Sequence, residues 1–500
     1  MVKDQLATLV ERTEEKRVDT LSATLVPTPT LEYRSLRKLR RAATASAGPP
    51  APSPIPIPIP VLTGPRVLVW KQDPTVGEIG IRKAFINTLV STGPKDTRIT
   101  ITGLPVLAPN ALGDFIQAPG TPEFDAVHTF AVVRMTLTMY QRALAVGNAL
   151  ATLPWQWNVA PNTDPITVAP RHSNMMNAYY MRSSKLLAFG FFPKPGAPAP
   201  QPTIFTCRSL DIVSHECGHA ILDGLKPQWL TSGATPQTGA LHESFGDLTA
   251  VFLALSQFDQ VEAIIAQTKS NLHDKTFLSD LAEEFGLALG RPNGLRNADN
   301  DLKLSEVGTE VHSLSQVFTG AIYDVLADIF AFERKAVHDD ALTLYDRAAY
   351  LQSLLLRGIL QAPAANATFT DVANRMLATT ATDAASGRIT AAQATAYRNF
   401  IRNRFSVREI VLSPAPMRDM AALAQALRRD VAHDEQLQAT PHISAEANAP
   451  QNRSGCCGTM TLPEHNGLDE AIEREKQKFL DDIKALAAQS SRAKPTKETR

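Results

Sequence analysis

The stretch "DIVSHECGHAILDGL" (211–225) sets His215 and His219 four positions apart, with Glu216 directly after the first. Four positions on an α-helix are one turn apart and only about 40° around the axis, so both imidazoles share a face and Glu216 projects beside them. A second stretch, "GALHESFGDLTAVFLAL" (239–255), carries Glu243, 24 residues past His219, and Asp247 one turn further on. Two carboxylates four apart on a buried-looking helix are costly unless cationic groups face them. The two helices are therefore expected to lie against each other with their polar faces together, and the rest of the chain must be built around that pair.

The histidine–glutamate spacing is a zinc-peptidase signature, and a chance match in a chain with this many histidines is expected on the order of 0.01 times. The plain alternative is a satisfied histidine pair on a core helix. A catalytic zinc takes three protein ligands and keeps one position for water. His215, His219 and Glu243 are the expected ligands, and Asp247 is expected to hydrogen-bond a ligating imidazole. Glu216 is left as the general base. His242 projects about 100° from Glu243 and is read as a wall of the cleft; Cys217 projects about 200° from His215 and is read as packing.

The chain has 500 residues, 44% of them hydrophobic, with 50 basic and 50 acidic side chains. It has the material for two or three domains and lacks the basic surplus that nucleic-acid binding leaves. No apolar run reaches the roughly 18 residues of a membrane span, and the N-terminus is charged rather than built like a secretory signal. The location stays open between the cytoplasm and export by a non-classical route. The four cysteines are too few and too scattered for a disulfide framework. The oligomeric state is left open by the sequence, with a monomer favoured.

Residues 1–61 read as a Pro-rich extension around "PPAPSPIPIPIPVL", preceded by the basic cluster "RSLRKLRR" (34–41). "PRVLVW", "TRITITGLPVL" and "SKLLAFGFF" read as strands, and 124–150 as a long buried helix. Strands dominate to about 205 and helices follow, in "GDLTAVFLALSQF", "VFTGAIYDVLADIFAF", "YDRAAYLQSLLLRGIL" and "AAQATAYRNFIRNRF". Residues 413–500 lose apolar density and end in a charged helix with a thin stripe at Ile472, Phe479, Ile483 and Leu486; Cys456 and Cys457 there read as surface thiols.

The two site stretches together resemble the thermolysin-like metallopeptidases of the glutamate-zincin group. Two further stretches agree in order: "NAYY" (177–180) followed by "LAFGFF" resembles the edge strand that pairs with substrate through Asn177 and Ala178, and "VHSLSQVFTGAIYDVL" (311–326) resembles the segment whose histidine, here His312, stabilises the transition state. The resemblance covers roughly residues 62–410. It implies an α+β, two-lobe fold: an N-terminal mixed lobe over 62–225 ending in the histidine helix, and a mainly helical lobe over 226–412, with the active site between. It implies a zinc endopeptidase acting on proteins or peptides, with an apolar residue preferred after the cut. Arg296 would grip the substrate carbonyl, and Glu306 or Glu310 would be the acidic partner of His312.

The chain departs from that pattern in two places. The family's oxyanion tyrosine is missing from the spacer between His219 and Glu243, which has only Trp229. This favours, as a rival, a zinc-binding protein of the same fold with weak or no turnover. Calcium finds little support, because Asp211 matches one calcium position but its acidic company is missing. The loop "DNDLKLSEVGTE" (299–310) has Leu304 where a calcium loop needs glycine and Lys303 at a ligand position.

Overall fold

The computed structural model describes residues 64–145, 149–288 and 294–413, and its architecture is mixed α and β. The Pro-rich extension, the basic cluster, the C-terminal stripe and the paired cysteines lie outside the described residues.

The N-terminal half is built from short strands around one long helix. Strands β1 (Arg66–Trp70) and β2 (Ile81–Phe85) form an antiparallel pair. Strands β3 (Ile99–Ile101), β4 (Ile166–Ala169), β5 (Ala178–Met181) and β6 (Leu186–Phe189) form a sheet in the order β3-β4-β6-β5. The first three in that order run parallel and β5 lies antiparallel at one edge. Strands β7 (Phe191–Pro193) and β8 (Thr203–Phe205) make a separate pair. "SKLLAFGFF" is therefore two strands rather than one. Gly190 divides them, donating to the Asn177 carbonyl at 2.9 Å and accepting from Thr206 N at 3.1 Å, so the chain passes there from one sheet to the other.

Helix α1 (Pro122–Ala143) packs against β1 and β3. It starts where the local chemistry asks: the Thr121 hydroxyl accepts from Phe124 N, Pro122 takes the first turn, and Glu123 and Asp125 meet the positive end of the helix dipole. It ends at Ala143, short of the expected 150, where the Leu144 N–H closes on the last carbonyls.

The second half is helical: α2 (Leu210–Leu225), α3 (Pro236–Leu255), α4 (Phe258–Thr268), α5 (Glu283–Ala288), α6 (Val311–Glu333), α7 (Asp340–Gln361), α8 (Phe369–Ala385) and α9 (Ala391–Ser406). One small strand pair interrupts it, β9 (Asp280–Leu281) with β10 (Arg296–Asn297).

Helix α3 is the axle of this half. It packs between α2 and α6, and every residue from Gln237 to Leu255 is buried. Each fully buried leucine, valine or phenylalanine on it contributes roughly 1.5–3 kcal/mol relative to exposure. The approach of α2 to α3 depends on missing side chains. A Cβ on Gly218 would fall 2.7 Å from Thr249 Oγ1, and one on Gly246 would fall 2.6–2.8 Å from three atoms of the His215 ring.

One apolar cluster runs from Val67 to Ile410 and includes Ile221 and Leu222 of α2 with Phe245 and Leu248 of α3, so the core is continuous across the boundary expected at 225/226. Among the described residues one helix, α6, is long and apolar enough by length and composition to cross a membrane, and its apolar stretch is 83% buried inside the protein, as suits a core helix.

Candidate metal centre

The site is assembled at the α2–α3 contact. Ser209 caps α2 by accepting from Ile212 N, and Thr235 caps α3 by accepting from Thr238 N, so both helices are anchored at the ends from which their site residues are reached. His215 and His219 stand one turn apart with ring centroids 4.6 Å apart and planes nearly perpendicular. Across the contact, Glu243 places Oε2 3.5 Å from His215 Nε2 and Oε1 3.5 Å from His219 Nε2. These separations are long for hydrogen bonds. They are close to the edge of a tetrahedron, about 3.4 Å, whose corners lie at zinc–ligand distances of about 2.1 Å.

His215 Nε2 is buried and has no hydrogen-bond partner, and it points into a space lined by a histidine and a carboxylate. This donor set fits a divalent ion. Glu216 belongs to the same constellation, since ligand atoms of His215, Glu216 and His219 lie within 4.8 Å of one another, all on buried residues.

The groups behind the two imidazoles are well defined. Asp247 Oδ1 lies 3.0 Å from His215 Nδ1 and is itself gripped by Arg296 Nη2 at 2.6 Å. Arg296, expected near the substrate, thus also braces Asp247. On the other ligand, His242 Nδ1 lies 2.7 Å from His219 Nδ1, with the rings stacked at 24°. This corrects the reading of His242 as a cleft wall. Its 100° offset from Glu243 described its own helix only, and the close approach of α2 brings His219 to that side. For His219 to offer Nε2 to a metal, its Nδ1 must carry the proton and His242 must accept it. The His242 proton then sits on Nε2, which is buried without a partner.

His312, in the first turn of α6, lies with Nε2 3.3 Å from Glu243 Oε2 and Nδ1 2.6 Å from Glu310 Oε1. Glu310 caps α6, accepting from the backbone N–H of His312 and Ser313. Of the two candidate partners of His312 it is therefore Glu310 that makes the contact, while Glu306 bonds Lys303 N instead. Trp229 stands away from the site, its Nε1 donating to the Pro363 carbonyl. Cys217 is buried against the Val133 carbonyl.

The electrostatics favour a positive charge at the centre. Burial works to lower the His215 pKa, but Asp247 and Glu243 outweigh it and hold it at about 9. Burial would raise Glu243, yet His312, His219 and His215 keep it well below the usual carboxylate range. His219 is driven well below its ordinary value by burial and stays neutral, as a ligand must. For His312 the burial penalty is exceeded by Glu243 and Glu310, and its pKa is raised. For Glu310 burial opposes ionisation, but the His312 ring and two backbone donors bring it to about 2.

The substrate-side residues are near. Strand β5 is the sheet edge, and Ala178 at its start lines a small pocket with His215, Glu216 and Arg296. Asn177 lies immediately before, its carbonyl engaged by Gly190 N. Ile212, Phe285 and Leu295 supply the pocket's apolar wall.

A second correction concerns Asp211. Its acidic company is not missing: Asp73, from the β1–β2 turn, and Glu283, opening α5, act on it electrostatically. Burial first, then Asp73, push Asp211 up to about 8, and burial with Asp73 and Asp211 pushes Glu283 to about 9. The loop at Asp299 instead joins a group with His273 and Asp324, against Arg404 and Arg408. No protein-family model and no curated protein sequence matches the chain.

Proposed function

We propose that the protein is a zinc-dependent endopeptidase with the two-lobe arrangement of the thermolysin-like enzymes. One observation carries the reading: a buried glutamate on α3 stands 3.5 Å from the Nε2 atoms of two histidines one turn apart on α2. Zinc held by His215, His219 and Glu243 would acidify a water and polarise the scissile carbonyl.

The chain's own groups do the rest. Glu216, buried beside the ligands, takes the proton from the attacking water and returns it to the departing amine. His312, kept protonated by Glu243 and Glu310, donates from Nε2 to the developing oxyanion. Arg296, oriented by Asp247, faces the same pocket and holds a substrate carbonyl. An extended peptide adds along the β5 edge at Asn177 and Ala178, with an apolar side chain in the pocket walled by Ile212, Phe285 and Leu295.

A rival reading is a zinc-binding protein with little turnover. It is favoured by the spacer without tyrosine and by Trp229, whose polar edge is committed elsewhere. Casein digestion by the purified chain, with and without a chelator, separates the two alongside elemental analysis. Stoichiometric zinc with chelator-sensitive cleavage supports the peptidase; stoichiometric zinc without cleavage gives the rival.

A further inference from the structure

The C-terminal end of α3 opens on a second cavity, of about 530 Å³, whose lining is separate from the candidate metal centre. Ten residues of helix separate Glu243 from Leu253 in its wall, about 15 Å along the axis. The wall also takes in the last turns of α1, the chain just after β2, one face of α7, and Arg388 and Ile389 beyond α8.

Two kinds of surface meet there. Met139, Phe252, Leu255 and Ile389 make an apolar bed. Around it stand Arg134, Arg142, Arg347 and Arg388, against one acid, Asp346. Arg134 is held by Asp96 at 3.2 Å. Among the described residues neither Arg142 nor Arg388 has a carboxylate partner; Arg388 reaches only the Ser353 hydroxyl, at 3.3 Å, and the face of Tyr350. The adjacent Gln352 is 6% exposed, lines the same cavity, and has a buried Nε2 with no hydrogen-bond partner. A buried amide donor left unmade is costly, and an acceptor arriving in the cavity would relieve it.

We propose that this cavity binds a small amphiphile with a single carboxylate head, of the medium-chain fatty acid class. The head accepts from Gln352 Nε2 and from the Arg388 and Arg142 guanidinium groups, and the alkyl chain lies on Met139, Phe252, Leu255 and Ile389. Asp346 in the same wall disfavours a doubly charged head such as a phosphate. The site is independent of the peptidase reading, since none of its residues touches the metal centre.

The test is calorimetric titration of decanoate into the full chain, with decanamide as the uncharged control of equal length. One decanoate should bind per chain, with decanamide at least about tenfold weaker. Decanoate should weaken about tenfold or more in Arg388→Gln and in Gln352→Leu. Gln352→Leu removes an unsatisfied buried amide and should not lower the melting temperature. If it does, Arg388→Gln, an exposed position, carries the test alone. Equal affinity for the amide, unchanged decanoate affinity in the well-folded variants, or no heat at about 1 mM decanoate overturns the proposal. A peptide of residues 55–62, "IPIPIPVL", that displaced decanoate would assign the cavity to the chain's own Pro-rich segment and would overturn it too.

Discussion

Helix α2 is bordered by two groups of buried carboxylates that share residue types and burial but not neighbours. Glu243 and Asp247 face His215, His219, His312 and Arg296, and both are held below the usual carboxylate range despite burial. Asp211 and Glu283 face Asp73 and each other, and they rise to about 8 and about 9. Burial alone acts in the same direction on all four. The sign of the outcome is decided by which charges the packing of α3, α5 and α6 brings alongside. The first group is ionised against imidazoles and a guanidinium; the second carries protons at neutral pH.

Removing the carboxylate at the centre should break the first group most severely. Glu243→Ala leaves three imidazoles facing one another, and we expect zinc to be lost, cleavage to fall below detection, and stability to drop by about 3–5 kcal/mol. Elemental analysis and a thermal melt read both effects. A variant that kept stoichiometric zinc would remove Glu243 from the ligand set.

Glu216→Gln sharpens the distinction between holding the ion and using it. Zinc content should stay unchanged while casein cleavage falls about 10²–10⁴-fold, the worth of a positioned general base. Residual cleavage near the parent level would pass the proton transfer to another group.

The supports of the two imidazoles come next. Asp247→Ala and His242→Leu should each weaken zinc about 10–100-fold in chelator competition. His242→Asn offers a carbonyl oxygen to the His219 Nδ1–H and should recover most of that loss. If leucine and asparagine behaved alike, the hydrogen bond would not be what holds His219.

The smallest effect tests the second group. Asp211 has a folded pKa of about 8, above the unfolded value of about 3.9. Its contribution to stability is fully present below that unfolded value and is lost as pH rises through 8. The melting temperature of the parent chain should decline from pH 5 to pH 8, and Asp211→Asn, which cannot ionise, should flatten that decline by several degrees. An unchanged slope would mean that Asp211 is ionised throughout.

Much of the frame is legible from residue order. β1, β3, α1, α6, α7 and α9 lie where apolar spacing puts strands and helices, because their core faces are written in leucine, isoleucine, valine and phenylalanine. Helix α8 carries a weaker apolar signal, since alanine, threonine and asparagine occupy much of its buried face, as at Thr370, Ala373, Asn374 and Thr380. Strands β2, β9 and β10 escape for a different reason: β2 is half-exposed or exposed throughout, and β9 and β10 are two residues each, too short for any period to show. Nor does periodicity mark the break at Gly190, which follows from where Asn177 and Thr206 lie in space.

The candidate site divides along the same line. Residue order alone set His215, Glu216 and His219 on one face, and Glu243 with Asp247 on another, because helical spacing is local and regular. Tertiary structure decided that His242 meets His219, that Glu310 rather than Glu306 meets His312, and that Asp73 joins Asp211. Those pairings depend on how closely α2, α3 and α6 pack and which way each is turned. Helix–helix distance here rests on glycines at 218 and 246, whose effect exists only once the partner helix is in place.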